Sequence, residues 1–361
     1  MIHDTSDARP GDARTPTCQL LARQDADYRG WWWVAPPRDP WLEAGQGRAI
    51  SADLAVRDAW QAAGRPAYSP FEAAPGLIDA APPPEGAPPG AVLFWPKSHA
   101  LGEWWLLWLC ATLPEGTPLQ LVGENQGGIK RVLKVLAALG LGCRKRDSAR
   151  RCSLFETRLG QVAIDPDAAW TSFEVEVGEE RLTLASHPGV FGHGKLDDGT
   201  RLLLEALPEV LAMDDAPGDI LDMGCGDGIL AAWLARRGAA VTAVDVNAFA
   251  VEATRRSLAA NALAGEALSG EALESDVYSA LDGRTFDAIV SNPPFHQERA
   301  IDYGPAARLI EEAPAHLRPG GQLILVANAF LPYPDLLERA FGGFEILADD
   351  RRFRVYRAVR R

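Results

Sequence analysis

The residues best suited to chemistry lie in two short segments of the C-terminal half. The first is Asp219-Ile-Leu-Asp-Met-Gly-Cys-Gly-Asp-Gly-Ile229. An apolar strand ends at Met223, runs into a turn built on Gly224, Gly226 and Gly228, and a helix starts at once. Glycines let a backbone approach a ligand closely, and in open α/β sheets ligands sit beyond the carboxyl ends of the strands. The spacing is G-x-G-x-G, not the dinucleotide G-x-G-x-x-G. Asp222, just before the turn, would repel a pyrophosphate and attract a cation. A sulfonium with its neighbouring amino group suits that charge, so the segment points to S-adenosylmethionine in preference to NAD. Asp245, followed by Val246, ends the next strand, where a carboxylate can accept hydrogen bonds from both ribose hydroxyls. Asp276 and Val277 follow a third strand and are placed to meet the adenine. A bare βαβ turn would explain the glycines alone, but not acids at three successive strand ends.

The second segment is Val290-Ser-Asn-Pro-Pro-Phe-His296, at the end of a fourth strand. It suits an aromatic amine, a poor nucleophile whose lone pair is delocalised into its ring. The side-chain oxygen of Asn292 and the backbone carbonyl of Pro293 can each accept a hydrogen bond from such an NH2 group. Two acceptors aim the nitrogen at a methyl donor and favour its pyramidal form as charge develops. Asn292 also adjoins the cofactor. The prolines fix the loop, and Phe295 offers a face on which a base can stack, worth roughly 1–3 kcal/mol. His296 reads as a supporting residue more than a catalyst. A rigid Pro-Pro turn with a packed Phe is the structural alternative. The pattern leaves the substrate open, because adenine N6, guanine N2 and protein glutamine amides are all methylated with it.

The elements that must position these residues form a repeating strand–helix pattern. Strands are expected at 219–223, 240–246, 272–274, 286–291 and 322–327. Helices are expected at 198–211, 227–237, 248–261, 305–317 and 334–341. Repeated βα units imply a doubly wound, mostly parallel sheet. Strands 344–348 and 353–358 add an antiparallel C-terminal hairpin, and 173–177 and 182–185 read as short strands. Upstream, residues 1–20 read as frayed, Trp31, Trp32, Trp33 and Trp41 as core packing, 92–95 and 119–122 as strands, and 101–113 and 129–139 as helices. The 361 residues suggest two domains, divided as 1–168 and 169–361.

Composition narrows the class. Hydrophobic residues make up 47% and charged residues 24%, which is globular. No apolar run is long enough to span a bilayer, and the polar N-terminus lacks a signal core, so no membrane association and a cytoplasmic location are expected. Five cysteines, an odd number without a CxxC pair, argue for reduced structural thiols and against a metal site. The net charge of −13 speaks against nucleic acid in bulk. Two basic clusters nevertheless stand out: Arg144, Lys145, Arg146, Arg150 and Arg151, and Arg351, Arg352, Arg354, Arg357, Arg360 and Arg361. Taken alone, each reads as a solvated face before it reads as a binding surface.

Three longer stretches carry a family resemblance: 184–191 with 195–204, the Asn292–His296 loop, and 326–334 with Phe353–Arg357. Together they resemble the bacterial RsmC family, the small-subunit ribosomal RNA guanine-N2 methyltransferases. The likeness is close over 182–361 and weaker over 91–135, through Leu93-Phe-Trp-Pro-Lys97 and Val122-Gly-Glu-Asn125. It implies tandem class I, Rossmann-like methyltransferase domains with a degenerate N-terminal copy. It also implies S-adenosylmethionine as donor and 16S ribosomal RNA, within the small subunit or its precursor, as partner. The family's catalytic loop matches Asn292–Phe295, and its cofactor positions match Asp222, Gly224, Asp245 and Asp276. Gly192–Lys195 departs from the family pattern, and Gln297 is shared with the large-subunit guanine-N2 enzymes. Those enzymes and protein glutamine methyltransferases remain the alternatives. The chain itself suggests the duplication: Gly123–Gly127 follows a strand as Gly224–Gly228 does, with Asn125 for the middle glycine and Leu121 for Asp222. No Asn-Pro-Pro occurs before residue 290. The N-terminal copy is therefore expected to bind no cofactor, to support the catalytic domain and to help hold RNA.

Overall fold

The structure, a computed structural model, describes residues 10–73, 87–162, 168–211, 218–262, 269–293 and 304–361. The chain divides into two compact units, Met1–Ala169 and Trp170–Arg361.

The first unit has strands β1 (Trp31–Val34), β2 (Gly47–Ile50), β3 (Ala67–Tyr68), β4 (Ala91–Phe94), β5 (Pro118–Glu124), β6 (Arg144–Ala149) and β7 (Cys152–Arg158). Its helices are α1 (Pro16–Ala22), α2 (Pro40–Ala44), α3 (Leu54–Ala62), α4 (Pro70–Ala73), α5 (His99–Thr112) and α6 (Val132–Ala138). The second unit opens with the hairpin β8 (Thr171–Val177) and β9 (Glu180–Ser186). Its main sheet holds β10 (Asp219–Met223), β11 (Ala240–Asp245), β12 (Gly270–Glu274), β13 (Phe286–Ser291), β14 (Leu317–Asn328), β15 (Glu345–Asp349) and β16 (Phe353–Val359). Its helices are α7 (Asp198–Val210), α8 (Ile229–Arg236), α9 (Ala248–Ala260), α10 (Gly304–Glu312) and α11 (Tyr333–Phe341).

The two main sheets share one topology. Their strand orders are β3-β2-β1-β4-β5-β7-β6 and β12-β11-β10-β13-β14-β16-β15. Five strands of each are parallel, and the closing hairpin is antiparallel. The apolar runs of the central strands follow from helices covering both faces of a parallel sheet. Ala91–Phe94, Ile289-Val290 and Leu323–Ala327 are buried throughout. The expected doubly wound architecture, its duplication and the terminal hairpin are thus present.

Several expectations need correction. Residues 16–22 form a helix capped by the Thr15 hydroxyl, with Cys18, Leu20 and Leu21 buried, where a frayed end was expected. The basic cluster Arg144–Arg151 forms strand β6 and the tip of the β6–β7 hairpin, a strand not expected there because its charges hide the alternation. The expected helix at 305–317 ends at Glu312, followed by a 3-10 turn, and β14 already begins at Leu317.

The register of the duplication also differs from the expected one. In strand pairing Val34 opposes Ile50 as Met223 opposes Val244, and the turn N–H of Ala35 donates to Ile50 as that of Gly224 donates to Val244. Trp33 therefore stands where Asp222 does. Leu93 and Ser291 pair likewise with the first and fifth strands, so Phe94 stands where Asn292 does. Gly123–Gly127 closes the fifth strand of its sheet and corresponds to the segment after Val326, not to the cofactor turn. The true counterpart of that turn is Ala35-Pro-Pro-Arg38, without glycine.

Candidate active site

The glycine turn is anchored by the N–H groups of Gly224 and Cys225, which donate to the Val244 carbonyl at 2.8 and 3.0 Å. Gly224, Gly226 and Gly228 all have positive φ, of 78°, 56° and 81°. A β-carbon on Gly224 or Gly226 would meet no atom within 4 Å, so both border open space. On Gly228 it would lie 2.8 Å from the Thr254 backbone. Gly228 thus keeps α8 and α9 close together, whereas the first two glycines leave room for a ligand.

The acids gather at the same edge because β10, β11 and β12 are neighbours in parallel register. Asp222 is fully buried, and neither carboxylate oxygen has a hydrogen-bond partner among the described residues. Burial pushes its carboxyl up to about 8 against the pull of the nearby Ala231 backbone N–H, and the Asp245 and Asp227 carboxylates add to the rise. Burial likewise raises Asp227 to about 6. Asp245 accepts from the N–H of Gly226 at 3.1 Å and of Asn247 at 2.9 Å, tying the glycine turn to the next strand end; Val246 lies between, half-buried. Asp276, one strand further, is paired with the Arg308 guanidinium. Val277 beside it has a φ of 57°, uncommon for a β-branched residue. Its carbonyl accepts from the Ser275 hydroxyl at 2.7 Å, which holds that bend.

Asn292 follows β13, the neighbour of β10 on the other side. Ser291 fixes this strand end by donating its hydroxyl to the Met223 carbonyl at 2.7 Å. The Asn292 amide nitrogen donates to the Asp197 carboxylate at 3.0 Å and to the Thr200 hydroxyl at 2.7 Å. An ionised carboxylate only accepts. The nitrogen must therefore face Asp197, and Oδ1 must point the other way. That oxygen is buried and has no partner among the described residues. Pro293 is buried beside it. Pro294, Phe295, His296 and Gln297 lie outside the described residues.

Asp197 and Thr200 were not singled out from sequence as site residues. Asp197 caps α7, accepting from the N–H of Gly199 at 2.9 Å and Thr200 at 3.2 Å. Asp197-Asp-Gly-Thr200 ahead of an apolar run is a recognisable helix start, but capping alone does not foretell a bond to a residue 95 positions away. The loop before it is docked as well. Asn247 donates to the Gly189 carbonyl at 2.8 Å, and His187 stacks on Phe249 at 4.2 Å.

The basic clusters separate on inspection. Arg352 pairs with Asp198, Arg354 with Asp349 and Arg357 with Glu345. Arg144 and Arg146 share Glu156. Arg150 and Arg151 at the β6–β7 tip, with Lys130 and Arg131 after β5, are exposed and form no ion pair among the described residues.

A buried, unpartnered carboxylate is costly unless a cation meets it, and an open glycine turn lies directly beside Asp222. The residues present fit S-adenosylmethionine: Asp222 would offset its positive charge, Gly224 and Gly226 border open space that would give it room, and Asp245 stands at the adjoining strand end. With this fold, the second unit is that of a class I S-adenosylmethionine-dependent methyltransferase. The family "Methyltransferase small domain" matches residues 181–357, and its N-terminal partner family matches 79–173. The "Ribosomal RNA small subunit methyltransferase C" of Chromohalobacter salexigens is 64% identical over 96% of this chain and 98% of its own. That of Pseudomonas aeruginosa is 46% identical over 77% and 81%. A solved structure of the T. thermophilus 16S rRNA N2 methyltransferase RsmC, in complex with AdoMet and guanosine, superimposes with a TM-score of 0.82. It is 31% identical and covers 96% of this chain and 92% of that one. The chain belongs to the ribosomal RNA small subunit methyltransferase C family.

Proposed function

We propose that this chain transfers a methyl group from S-adenosylmethionine to the exocyclic N2 of a guanosine in 16S ribosomal RNA, with Asn292 and Pro293 gripping the amine. The observation that carries the assignment of roles is the buried, unpartnered Oδ1 of Asn292, held in one orientation by Asp197 and Thr200. When bound, the cofactor supplies an electrophilic methyl on a positively charged sulfur. Asp222 receives the positive end of that ligand, and Asp245 its ribose. Asp276 and Val277 lie at the strand end where the adenine would rest. Asn292 Oδ1 and the Pro293 carbonyl each accept a hydrogen bond from one amine N–H, which turns the nitrogen lone pair toward the donor as it pyramidalises. Phe295 stacks the base. The methylated amine sheds its proton readily, so no strong general base is required. An acceptor that acts in the transition state is worth roughly 2.7–4 kcal/mol.

Family membership favours small-subunit RNA over large-subunit RNA and over a glutamine amide. The T. thermophilus relative was solved with guanosine, the nucleoside this reading requires. Residues 169–361 serve as the catalytic domain. Residues 1–168 serve as a scaffold that also holds RNA, through Arg150, Arg151, Lys130 and Arg131. Among the described residues no helix is long and apolar enough to cross a membrane; the cytoplasm is the location this reading proposes for the reaction. Mass spectrometry of ribosomal RNA nucleosides from a deletion strain tests the function. One N2-methylguanosine should disappear, return with the intact gene and stay absent with Asn292→Ala. An unchanged nucleoside profile in the deletion strain would refute it.

A further inference from the structure

Phe330 is 77% exposed, the largest exposure among the large hydrophobic side chains described. Isolated apolar residues on a surface need no explanation, but the setting of this one is built. Its turn follows β14 and is closed by Leu331 N–H donating to Asn328 at 3.0 Å. Ala329 N–H donates to the Arg352 carbonyl at 2.9 Å, and the Arg354 guanidinium reaches the Ala329 carbonyl at 3.4 Å. Leu331 and Tyr333 are buried, so the backbone is clamped while the ring stays in solvent.

The rim beside it carries Arg351, Arg352 and Arg354, of which Arg352 and Arg354 are ion-paired, and it is connected to the catalytic amide. Arg351 has a φ of 75° and no side-chain ion pair among the described residues. Arg352 pairs with Asp198 at 2.8 Å, next to Asp197, which holds Asn292. Leu325 of β14 lies opposite Ser291. Asn292 is thus level with Val326, and Phe330 follows two more strand residues and a turn, roughly 7 Å or more further along the strand. That lies beyond a base seated on Asn292 and suits the base next to it.

The duplication supplies a control. At the N-terminal hairpin, Asn125 N–H donates to the Arg151 carbonyl at 2.8 Å, as Ala329 does to Arg352. The residue corresponding to Phe330 is Gln126. The arginine pair is thus common to both copies, and the aromatic ring belongs to the catalytic one.

We infer that Phe330 is a stacking platform for an unpaired nucleotide flanking the target guanosine, with the adjoining phosphate at Arg351. The inference rests on the RNA reading above. An aromatic face stacks any base, so the platform keeps the strand splayed open while the amine is presented, as single-strand recognition requires.

The test is affinity for protein-free small-subunit ribosomal RNA, measured with Phe330→Ala, Phe330→Leu and Phe330→Trp in the full chain. Ala and Leu should weaken binding by about 5- to 100-fold, and Trp by less than about threefold. S-adenosylmethionine affinity and thermal midpoint should not move. Arg351→Ala should lower the salt slope of RNA binding by about one. Wild-type affinity in both Ala and Leu variants would overturn the inference. So would full rescue by Leu, or a loss seen only on particles carrying ribosomal proteins, which would mark a protein contact. Failure of the functional reading looks different: the wild-type protein itself would then form no N2-methylguanosine, and the platform would fall with it.

Discussion

Trp33 and Phe94 pack with ring centroids 6.2 Å apart, at the two positions of the N-terminal sheet that correspond to Asp222 and Asn292. Both rings are buried. Where one copy keeps a buried carboxylate and a buried amide oxygen without partners among the described residues, the other places two packed aromatic rings. Even the capping survives in weaker form. Asp245 accepts from Asn247 N–H, and its counterpart Ser51 accepts from Asp53 N–H at 3.1 Å. Calorimetric titration should therefore give one S-adenosylmethionine per chain, and none with Asp222→Ala. A stoichiometry of two would contradict this. Trp33→Ala should instead act on folding, costing about 3–5 kcal/mol, as for other large buried aromatics.

Asp197 does two jobs, capping α7 and fixing the Asn292 amide. The two can be separated. Serine is also a good cap but is too short to reach Asn292. Asp197→Ser should leave the thermal midpoint within a few degrees while lowering the single-turnover methylation rate about tenfold or more. Thr200→Val removes the other anchor without changing shape and should act in the same direction. Cofactor affinity should be unaffected in both. If methylation at saturating RNA stayed at the wild-type rate in the double variant, the amide needs no such positioning.

The raised carboxyl of Asp222 gives a pH signature. Its folded value of about 8 lies above the reference of 3.8. The folded, ligand-free protein therefore keeps this proton over an interval in which the unfolded chain has lost it. The stability this contributes is fully present below the unfolded value and is lost as pH rises through about 8. Relative to Asp222→Asn, the ligand-free wild type should lose stability steadily from about pH 4 to about pH 8 and level off above it in denaturant titrations. A cationic ligand prefers the ionised carboxylate, so cofactor affinity should rise over the same range and binding should release a proton, visible as a buffer-dependent binding enthalpy. Parallel stability curves for the two proteins would remove the claim.

What the sequence revealed follows what sequence encodes locally. The parallel strands are apolar runs, and the cofactor turn is glycine-rich, so both can be read directly. The segments around Asp222, Asp245 and Asn292 fall at neighbouring strand ends because strand–helix repeats leave few alternatives. The bond from Asn292 to Asp197 depends on two loops meeting across the fold, and no local pattern carries it. The β6–β7 hairpin was hidden because its strand Arg144–Ala149 is mostly exposed and charged, so it lacks an apolar alternation. The misregistered duplication has a similar origin. A Gly-x-x-x-Gly turn after any strand resembles a cofactor loop, and only the pairing partners show that Gly123 closes the fifth strand and not the first.

The arginines that hold RNA should be those without an acidic partner. Arg354 and Arg357 are already matched by Asp349 and Glu345, so replacing both with Gln should change RNA affinity less than about threefold, as expected for paired surface charges. Arg150 and Arg151 differ. They form a two-residue hairpin loop with φ of 50° and 62°, a conformation that strongly favours Asn-Gly. Two arginines held there carry backbone strain, which points to a role outside folding. Replacing them with Asn and Gly should stabilise the protein by about 1–2 kcal/mol and at the same time weaken RNA binding, with a salt slope lower by about two. Thermal melts and RNA titrations across salt, run on the same variant, check both signs. A variant that gained stability and kept its RNA affinity would show that the strained tip has no part in RNA binding.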